Sequence, residues 1–361
     1  MLSGQKHSAK MPVMELMKAA RLHAIRGMLS IDSIPIPQLG PNDVLVDIRA
    51  AGICHSDMNY RDGISPLARL PITLGHEIAG VVAEKGEDTA GIEEGDRVCV
   101  HYVISCGKCS FCTSDRENYC TEYQMVGKDV DGGFAEYVRV PARNVLKLPN
   151  SMPFDQAAIL GCAVSTAYHA LKRGRTKAGD TILINGVGGL GVHAVQLASR
   201  IFRAGEIIAV DVLEEKLKVA SKLGASELVN SSKGDSEERI REITNGKLAD
   251  VVLDFVGRSM TIEDTIRWTG KGGRLVMVGI SQEEVRLSPY TTVIGKEMEI
   301  IGVNDHLKSE LAQLIEYVEY NRLDLSNSIT HRVSLEDVNR GIQILSEKIG
   351  NPIRVVVTKP T

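Results

Sequence analysis

The run Gly186-Val187-Gly188-Gly189-Leu190-Gly191 constrains the fold more than any other segment of the chain. It matches G-x-G-x-x-G and follows the β-branched stretch Thr181 to Ile184. It opens a segment with helical spacing of apolar residues, Val192 to Phe202. A second strand-like run, Ile207 to Val210, ends at Asp211, twenty residues after Gly191. Strand, glycine turn, helix, strand and acidic residue in that order form a βαβ unit that binds a dinucleotide. Gly186 permits the tight turn, Gly188 lets the backbone approach a pyrophosphate, and Gly191 lets the helix lie close on the strand. Gly189 and Leu190 complete the turn. The helix start adds unpaired N–H groups and partial positive charge. Asp211 is placed to accept from the adenosine ribose hydroxyls, and its carboxylate repels a 2′-phosphate. NAD is therefore expected rather than NADP.

The rest of the chain supports two folding units. Glu214 to Leu223 reads as a helix ending at Gly224, and Val251 to Leu253 and Leu275 to Val278 as further strands. Strands without polar alternation, separated by helices, predict a doubly wound parallel sheet covered on both faces. The charged stretch Ser231 to Gly246 is expected at the surface with a short helix. Before residue 155 the pattern differs. Val44 to Ile48, Ile78 to Ala83 and Arg97 to Val100 are short β-branched runs punctuated by glycine and proline, as in a barrel-like β domain. Gln156 to Leu171 reads as one helix. A tail with helices over Leu311 to Glu319 and Leu335 to Leu345 ends in a strand, Ile353 to Thr358. At 361 residues the chain is long enough to bury about three quarters of its surface without staples.

Charge excludes some functions. Lys and Arg total 42 against 46 Asp and Glu, so there is no global attraction for nucleic acid or an anionic membrane. No apolar run reaches the length of a membrane span, and the first residues lack the apolar core of a secretory signal, so a cytoplasmic protein is expected.

Cysteine placement is uneven. Cys106-x₂-Cys109-x₂-Cys112-x₇-Cys120 puts four thiols within fifteen residues, with an odd total of seven. That pattern favours metal ligation over disulfides. Four thiolates close a tetrahedral structural zinc site with no open position. The bacterial iron–sulfur run has a shorter last gap followed by proline, whereas here the gap is seven and Thr121 follows, which favours zinc. Cys54, His76 and Cys162 are linked by no spacing. Taken singly, His76 is equally a satisfied polar group, and Cys162 reads as a small buried hydrophobe. Cys99, in a strand-like run, reads as a core thiol.

Six segments in order resemble the zinc-dependent medium-chain alcohol dehydrogenases. They are Ala51 to Asp57, Gly75 to Val82, the four-cysteine loop, Gly161 to Thr166, Gly186 to Gly191, and Asp211. The resemblance covers nearly all of 17–361. It implies a GroES-like barrel interrupted by the Rossmann nucleotide domain, and hence an extension at 1–16, a catalytic domain at 17–164, an NAD-binding domain at 165–304, and a return to the catalytic domain at 305–361. It also implies that Cys54, His76 and Cys162 hold a catalytic zinc, with Glu77 as an alternate ligand, so that each subunit carries two zinc ions. Asp57 would orient the histidine, and Ser56 would hydrogen-bond the substrate oxygen. His55 and Arg354 would lie near the cofactor pyrophosphate, Lys216 near the ribose, and Thr166 beside the nicotinamide. Tyr102 and Ile280 correspond to substrate-pocket positions.

The activity so implied is hydride transfer from a primary or secondary alcohol to NAD, reversible toward aldehydes and ketones. The catalytic zinc stabilises an alkoxide in that reaction. Polyol or L-threonine dehydrogenation is the alternative within the family, and a non-catalytic NAD-binding scaffold the alternative outside it. Cys162 as third ligand leans toward the alcohol branch. The resemblance also suggests a homo-oligomer, a tetramer rather than a dimer. One departure is Asn59, five residues after Cys54, where many family members carry a histidine that passes protons to solvent.

Overall fold

The structure, a computed structural model, describes residues 15–359. The proposed extension at 1–16 lies outside the described residues except for Glu15 and Leu16, and Leu16 already begins the strand Leu16–Leu22.

Two sheets organise the chain. The long strand Asp43–Ile53 centres the first. It pairs antiparallel with Glu77–Lys85, with Tyr137–Pro141 and with the last strand of the chain, Arg354–Thr358. Arg97–Val100 and Val145–Lys147 extend the sheet on one side and Ile329–Val333 on the other. The chain's end thus completes the sheet that its beginning starts. Most of Asp43–Ile53 is buried because the sheet curls around its own apolar cluster, in which Val44, Val46, Ile78, Val98 and Val355 interlock.

The second sheet is wholly parallel. Its order is Glu227–Asn230, Glu206–Asp211, Thr181–Asn185, Ala249–Asp254, Thr269–Met277 and Glu299–Gly302. The order reverses at Thr181–Asn185, which places a crevice beyond the carboxyl end of that strand, where such sheets bind ligands. Ile182, Leu183 and Ile184 are wholly buried because helices cover both faces. Ile182 and Ile184 face one cluster, shared with the helices that adjoin the first sheet, and Leu183 faces the other. The doubly wound parallel sheet and the β-rich lobe are the two architectures expected above.

Three helical expectations shift in detail. Gln156 to Leu171 is not one uniform helix. Phe154–Ile159 leads into a π turn, Leu160–Val164, and continues as Ser165–Arg173. The Leu160 carbonyl in this wider turn accepts from the Ser165 hydroxyl at 2.5 Å. Single π turns of this kind commonly mark functional positions. The tail helix begins at Val338, not Leu335, because Ser334 and Asp337 hydrogen-bond each other into a turn first. Conversely, Lys308–Glu319 starts three residues early, its first turn closed by the Glu310 carboxylate accepting from the Leu307 N–H at 3.1 Å. In the charged stretch 231–246, Ser236–Ile243 is helical and inserts Ile240 fully into the core.

Candidate metal and nucleotide sites

Cys54 ends the long strand and caps the short helix His55–Arg61. Its N–H donates to Asp57 Oδ2 at 2.8 Å, while Asp57 Oδ1 accepts from Gly75 N–H and from His76 Nδ1, both at 3.2 Å. One buried carboxylate therefore ties the strand end to the loop that carries His76. A carboxylate accepts from Nδ1–H, so the proton sits on that nitrogen and Nε2 is the nitrogen left to face a metal. That Nε2 is buried with no protein partner. It faces Cys54, Cys162 and Glu77, and the four ligand atoms all lie within 4.8 Å of one another. Cys162 reaches the cluster from the π turn.

The donor set fits a zinc ion. Two thiols, an imidazole and a carboxylate converge in a buried place, and both His76 Nε2 and Glu77 Oε1 lack any other partner. Zinc takes these donor types in catalytic sites. Negative charge crowds this place, which favours a cation there. The Cys54 thiol is held well below its ordinary value, first by the hydrogen bond from Cys162 and then by His76. Cys162 is pushed up by the same shared proton and by burial. Burial pulls His76 down, but Asp57 and Cys54 outweigh it and hold the imidazole well above its usual range. Burial raises Glu77 to about 7, against the pull of Arg354. Gly52 makes room for that carboxylate, because a Cβ there would meet Glu77 Oε2 at 1.9 Å.

Asp57→Asn is expected to weaken metal binding by about 10- to 100-fold. An amide in the same place must turn an N–H₂ toward the Cys54 or the His76 donor. Competition with a chromogenic chelator checks it, and unchanged affinity would show that Asp57 does not orient the cluster.

Arg354 joins the two sites. Its guanidinium pairs with Glu77 on one side, and on the other lies 3.0 Å from where a Gly189 Cβ would stand. It is almost wholly buried. Gly186 adopts φ 86°, and a Cβ on Gly191 would sit 2.0 Å from the Gly186 carbonyl oxygen, so the turn closes only with glycine there. At Gly188 the only neighbour is Lys216 Nζ at 3.6 Å, which leaves space in front of the turn. Leu190 precedes the helix Gly191–Arg200. Asp211 accepts from the Val187 N–H and the Leu213 N–H, each at 3.0 Å, and so holds the turn. A cavity of about 80 Å³ opens beside the turn, lined by Val187, Gly188, Lys216 and Pro352.

Of the remaining predicted residues, Ser56 is half-buried with its hydroxyl 3.8 Å from Cys54 Sγ, and Thr166 Oγ1 lies 3.7 Å from Cys162 Sγ. His55 is exposed at the start of its helix. Tyr102 sets its ring edge against His76, with centroids 5.2 Å apart. Ile280 is 52 % exposed and belongs to no buried cluster. Cys99 is fully buried, and its thiol donates to the Ala157 carbonyl at 3.2 Å.

Cys106, Cys109, Cys112 and Cys120 form the second cluster within the same 4.8 Å limit. Backbone N–H groups already point at the sulfurs. Cys106 N–H donates to Cys120 Sγ at 3.2 Å and Cys109 N–H to Cys106 Sγ at 3.4 Å. The Cys112 N–H holds the Cys109 thiol down at about 6. Among the described residues, no histidine or carboxylate joins the four sulfurs within that limit, and an all-cysteine set is one that structural zinc sites use.

Sequence reasoning missed Tyr60 and Asp305 near His76, Tyr123 beside Asp305, the Glu77–Arg354 pair, and the room that Gly52 leaves. No local signal marks them, since each depends on strands distant in sequence.

Comparison with known proteins places this geometry. Residues 40–150 match the alcohol dehydrogenase GroES-like domain, and residues 189–319 match the zinc-binding dehydrogenase domain. An NAD-dependent alcohol dehydrogenase of Sulfurisphaera tokodaii is 34% identical, covering 91% of this chain and 96% of its own. A sorbitol dehydrogenase of Bacillus subtilis is 32% identical, covering 92% and 95%. The crystal structure of the alcohol dehydrogenase from Aeropyrum pernix superposes with a TM-score of 0.88 at 34% identity, over 95% of this chain and all of that one. By both domains and by near full-length similarity, the chain belongs to the zinc-dependent medium-chain alcohol dehydrogenase family.

Proposed function

We propose that the chain oxidises primary or secondary alcohols with NAD, reversibly, at the cluster of Cys54, His76 and Cys162. The observation that carries this reading is the buried Cys₂–His–Glu cluster, joined through Arg354 to the glycine turn. When bound there, a zinc ion supplies Lewis-acid polarisation of the alcohol oxygen.

This chain's residues do the rest. Cys54, His76 and Cys162 hold the ion, with Glu77 as a fourth donor that Arg354 restrains. Asp57 fixes the tautomer of His76. The Ser56 hydroxyl, beside Cys54, takes the alcohol proton through a hydrogen bond and passes it on toward solvent. Asn59, on the same helix, cannot accept that proton near neutral pH, so it leaves by water. The glycine turn, Leu190, the helix start and Arg354 hold the pyrophosphate, with His55 beside it. Thr166 orients the nicotinamide toward the cluster, and Asp211 and Lys216 receive the ribose. A second zinc in the four-cysteine loop holds its lobe.

The polyol reading has specific support from the sorbitol dehydrogenase relative. A panel of primary alcohols, secondary alcohols, polyols and L-threonine, assayed for NADH formation, separates the readings. Turnover confined to polyols or L-threonine would rename the enzyme. No turnover with NAD and zinc bound would favour the scaffold.

Asp211→Gly is expected to shift the NADP-to-NAD ratio of kcat/KM upward by about 10- to 100-fold. The change removes a carboxylate that repels a 2′-phosphate and leaves Lys216, which attracts it. An unchanged ratio would remove Asp211 from cofactor choice.

We also read the chain as a homo-oligomer, a tetramer acting in the cytoplasm on small molecules, with no nucleic-acid or membrane partner. The edge strand Glu299–Gly302 supports association, with Ile300, Ile294 and Tyr290 exposed on or beside it. Unpaired apolar edges invite a second strand. No helix among the described residues is long and apolar enough to cross a membrane.

A further inference from the structure

Asp305 lies three residues past the edge strand Glu299–Gly302, at the carboxyl end of the parallel sheet, yet its partners come partly from the other lobe. Oδ1 accepts from the Tyr102 hydroxyl at 3.2 Å, and Oδ2 accepts from Asn304 Nδ2 at 2.6 Å. The Tyr123 hydroxyl, His76 and the Lys128 ammonium also act on this carboxylate. Tyr102 is the residue whose ring edges onto His76. One tyrosine side chain therefore separates the metal-facing imidazole from a carboxylate.

That carboxylate is firmly placed. Asp305 sits at φ 59°, in the left-handed region that Asp tolerates better than most residues. The next residue anchors it, since the His306 carbonyl accepts from His101 Nε2 at 3.3 Å and the His306 ring packs edge-on against Tyr102 at 5.0 Å. Asp305 is half-buried, so the carboxylate, with about four lone-pair directions, keeps acceptor capacity beyond the Tyr102 and Asn304 bonds. A plain alkyl chain entering beside it would strip water from a charged group and return nothing, which is costly.

We propose that Asp305, held by Tyr102, is a specificity-determining residue that selects alcohols bearing a second hydrogen-bond donor, a hydroxyl or an ammonium, a few carbons beyond the carbinol. This rests on the dehydrogenase reading above and narrows it to diols and amino alcohols over simple alkanols. The far donor binds Asp305 while the carbinol oxygen lies at the cluster of Cys54, His76 and Cys162.

Two variants keep the left-handed backbone: Asp305→Asn retains a neutral acceptor, and Asp305→Gly removes the side chain. The measurement is kcat/KM for butanol, a butanediol and an aminobutanol. It is paired with saturation-transfer NMR of the same three alcohols on zinc-loaded protein without nucleotide. The wild type is expected to prefer the donor-bearing alcohols in both readouts by about tenfold or more. Asp305→Gly should lose both preferences, and Asp305→Asn should lose the ammonium preference first. A merely structural role would lower all three substrates in step and leave the ratios unchanged, which would overturn the proposal. So would a wild type that binds butanol as well as the butanediol. If the wild type turns over none of the three, the dehydrogenase reading fails, and the NMR preference still decides the role of Asp305.

Discussion

Alanine at His76 is expected to cost the protein one metal ion and to cut alcohol oxidation by at least about 10³-fold. The imidazole is the one nitrogen donor of its cluster, and its Nε2 has no other partner. Removing it leaves two thiols and a carboxylate already paired with Arg354. It also leaves Asp57 buried with the donor to its Oδ1 halved, although Cys54 and Gly75 still hold that carboxylate in place. The backbone therefore stays and the metal goes. Elemental analysis and NADH formation, on protein whose circular dichroism matches the wild type, check this. A full complement of metal with activity intact would show that the cluster is not the catalytic one.

The glycine turn and the four-cysteine loop were legible because each is local: strand, turn and helix are contiguous, and four thiols fall within fifteen residues. The helix Glu214–Leu223 was legible to the residue, since Gly224 stops it in the left-handed region at φ 117°. The first metal cluster was not legible from spacing. Cys54 ends a strand, His76 precedes its neighbour, and Cys162 lies in a π turn that apolar periodicity cannot distinguish from regular helix. Only the family resemblance brought the three together. Arg354 was expected at the pyrophosphate alone. Its pairing with Glu77 follows from the antiparallel contact of the last strand with Asp43–Ile53, which pairs Val355 with Ile53 across the sheet. Asp305 had no signal at all, because its meaning depends on a tyrosine some two hundred residues earlier.

Serine at Cys106 is expected to remove the other metal ion and loosen its lobe. Among residues 105–119 no apolar side chain is buried, and the described elements there are two short 3₁₀ turns, Cys112–Ser114 and Glu117–Tyr119. Such a segment has no core to fold around, so its order is expected to depend on a metal held by the four sulfurs. Cys106 both accepts the Cys109 N–H and donates its own N–H to Cys120, so losing its thiolate opens the loop at its first corner. Cleavage within 105–122 by a protease should accelerate by at least about tenfold. Activity should fall far less than with His76→Ala, since the loop supplies none of the other cluster's four donors and meets the rest of the chain through the paired strands Val103–Ile104 and Gln124–Met125 and through Asp115, Glu117 and Asn118, which bond Ser309, Lys308 and Asn304. An unchanged metal count with unchanged proteolysis would contradict a structural role.

Hydride is expected to leave an alcohol for the nicotinamide at the cluster of Cys54, His76 and Cys162. Oxidation of an alcohol fully deuterated at its carbinol carbon, followed by mass spectrometry of the reduced nucleotide, tests it most directly. With zinc-loaded protein, one deuterium per turnover should appear in the reduced nicotinamide, and with protein stripped of zinc, none. Reduced nucleotide free of deuterium, or an equal yield from the stripped protein, would contradict the claim.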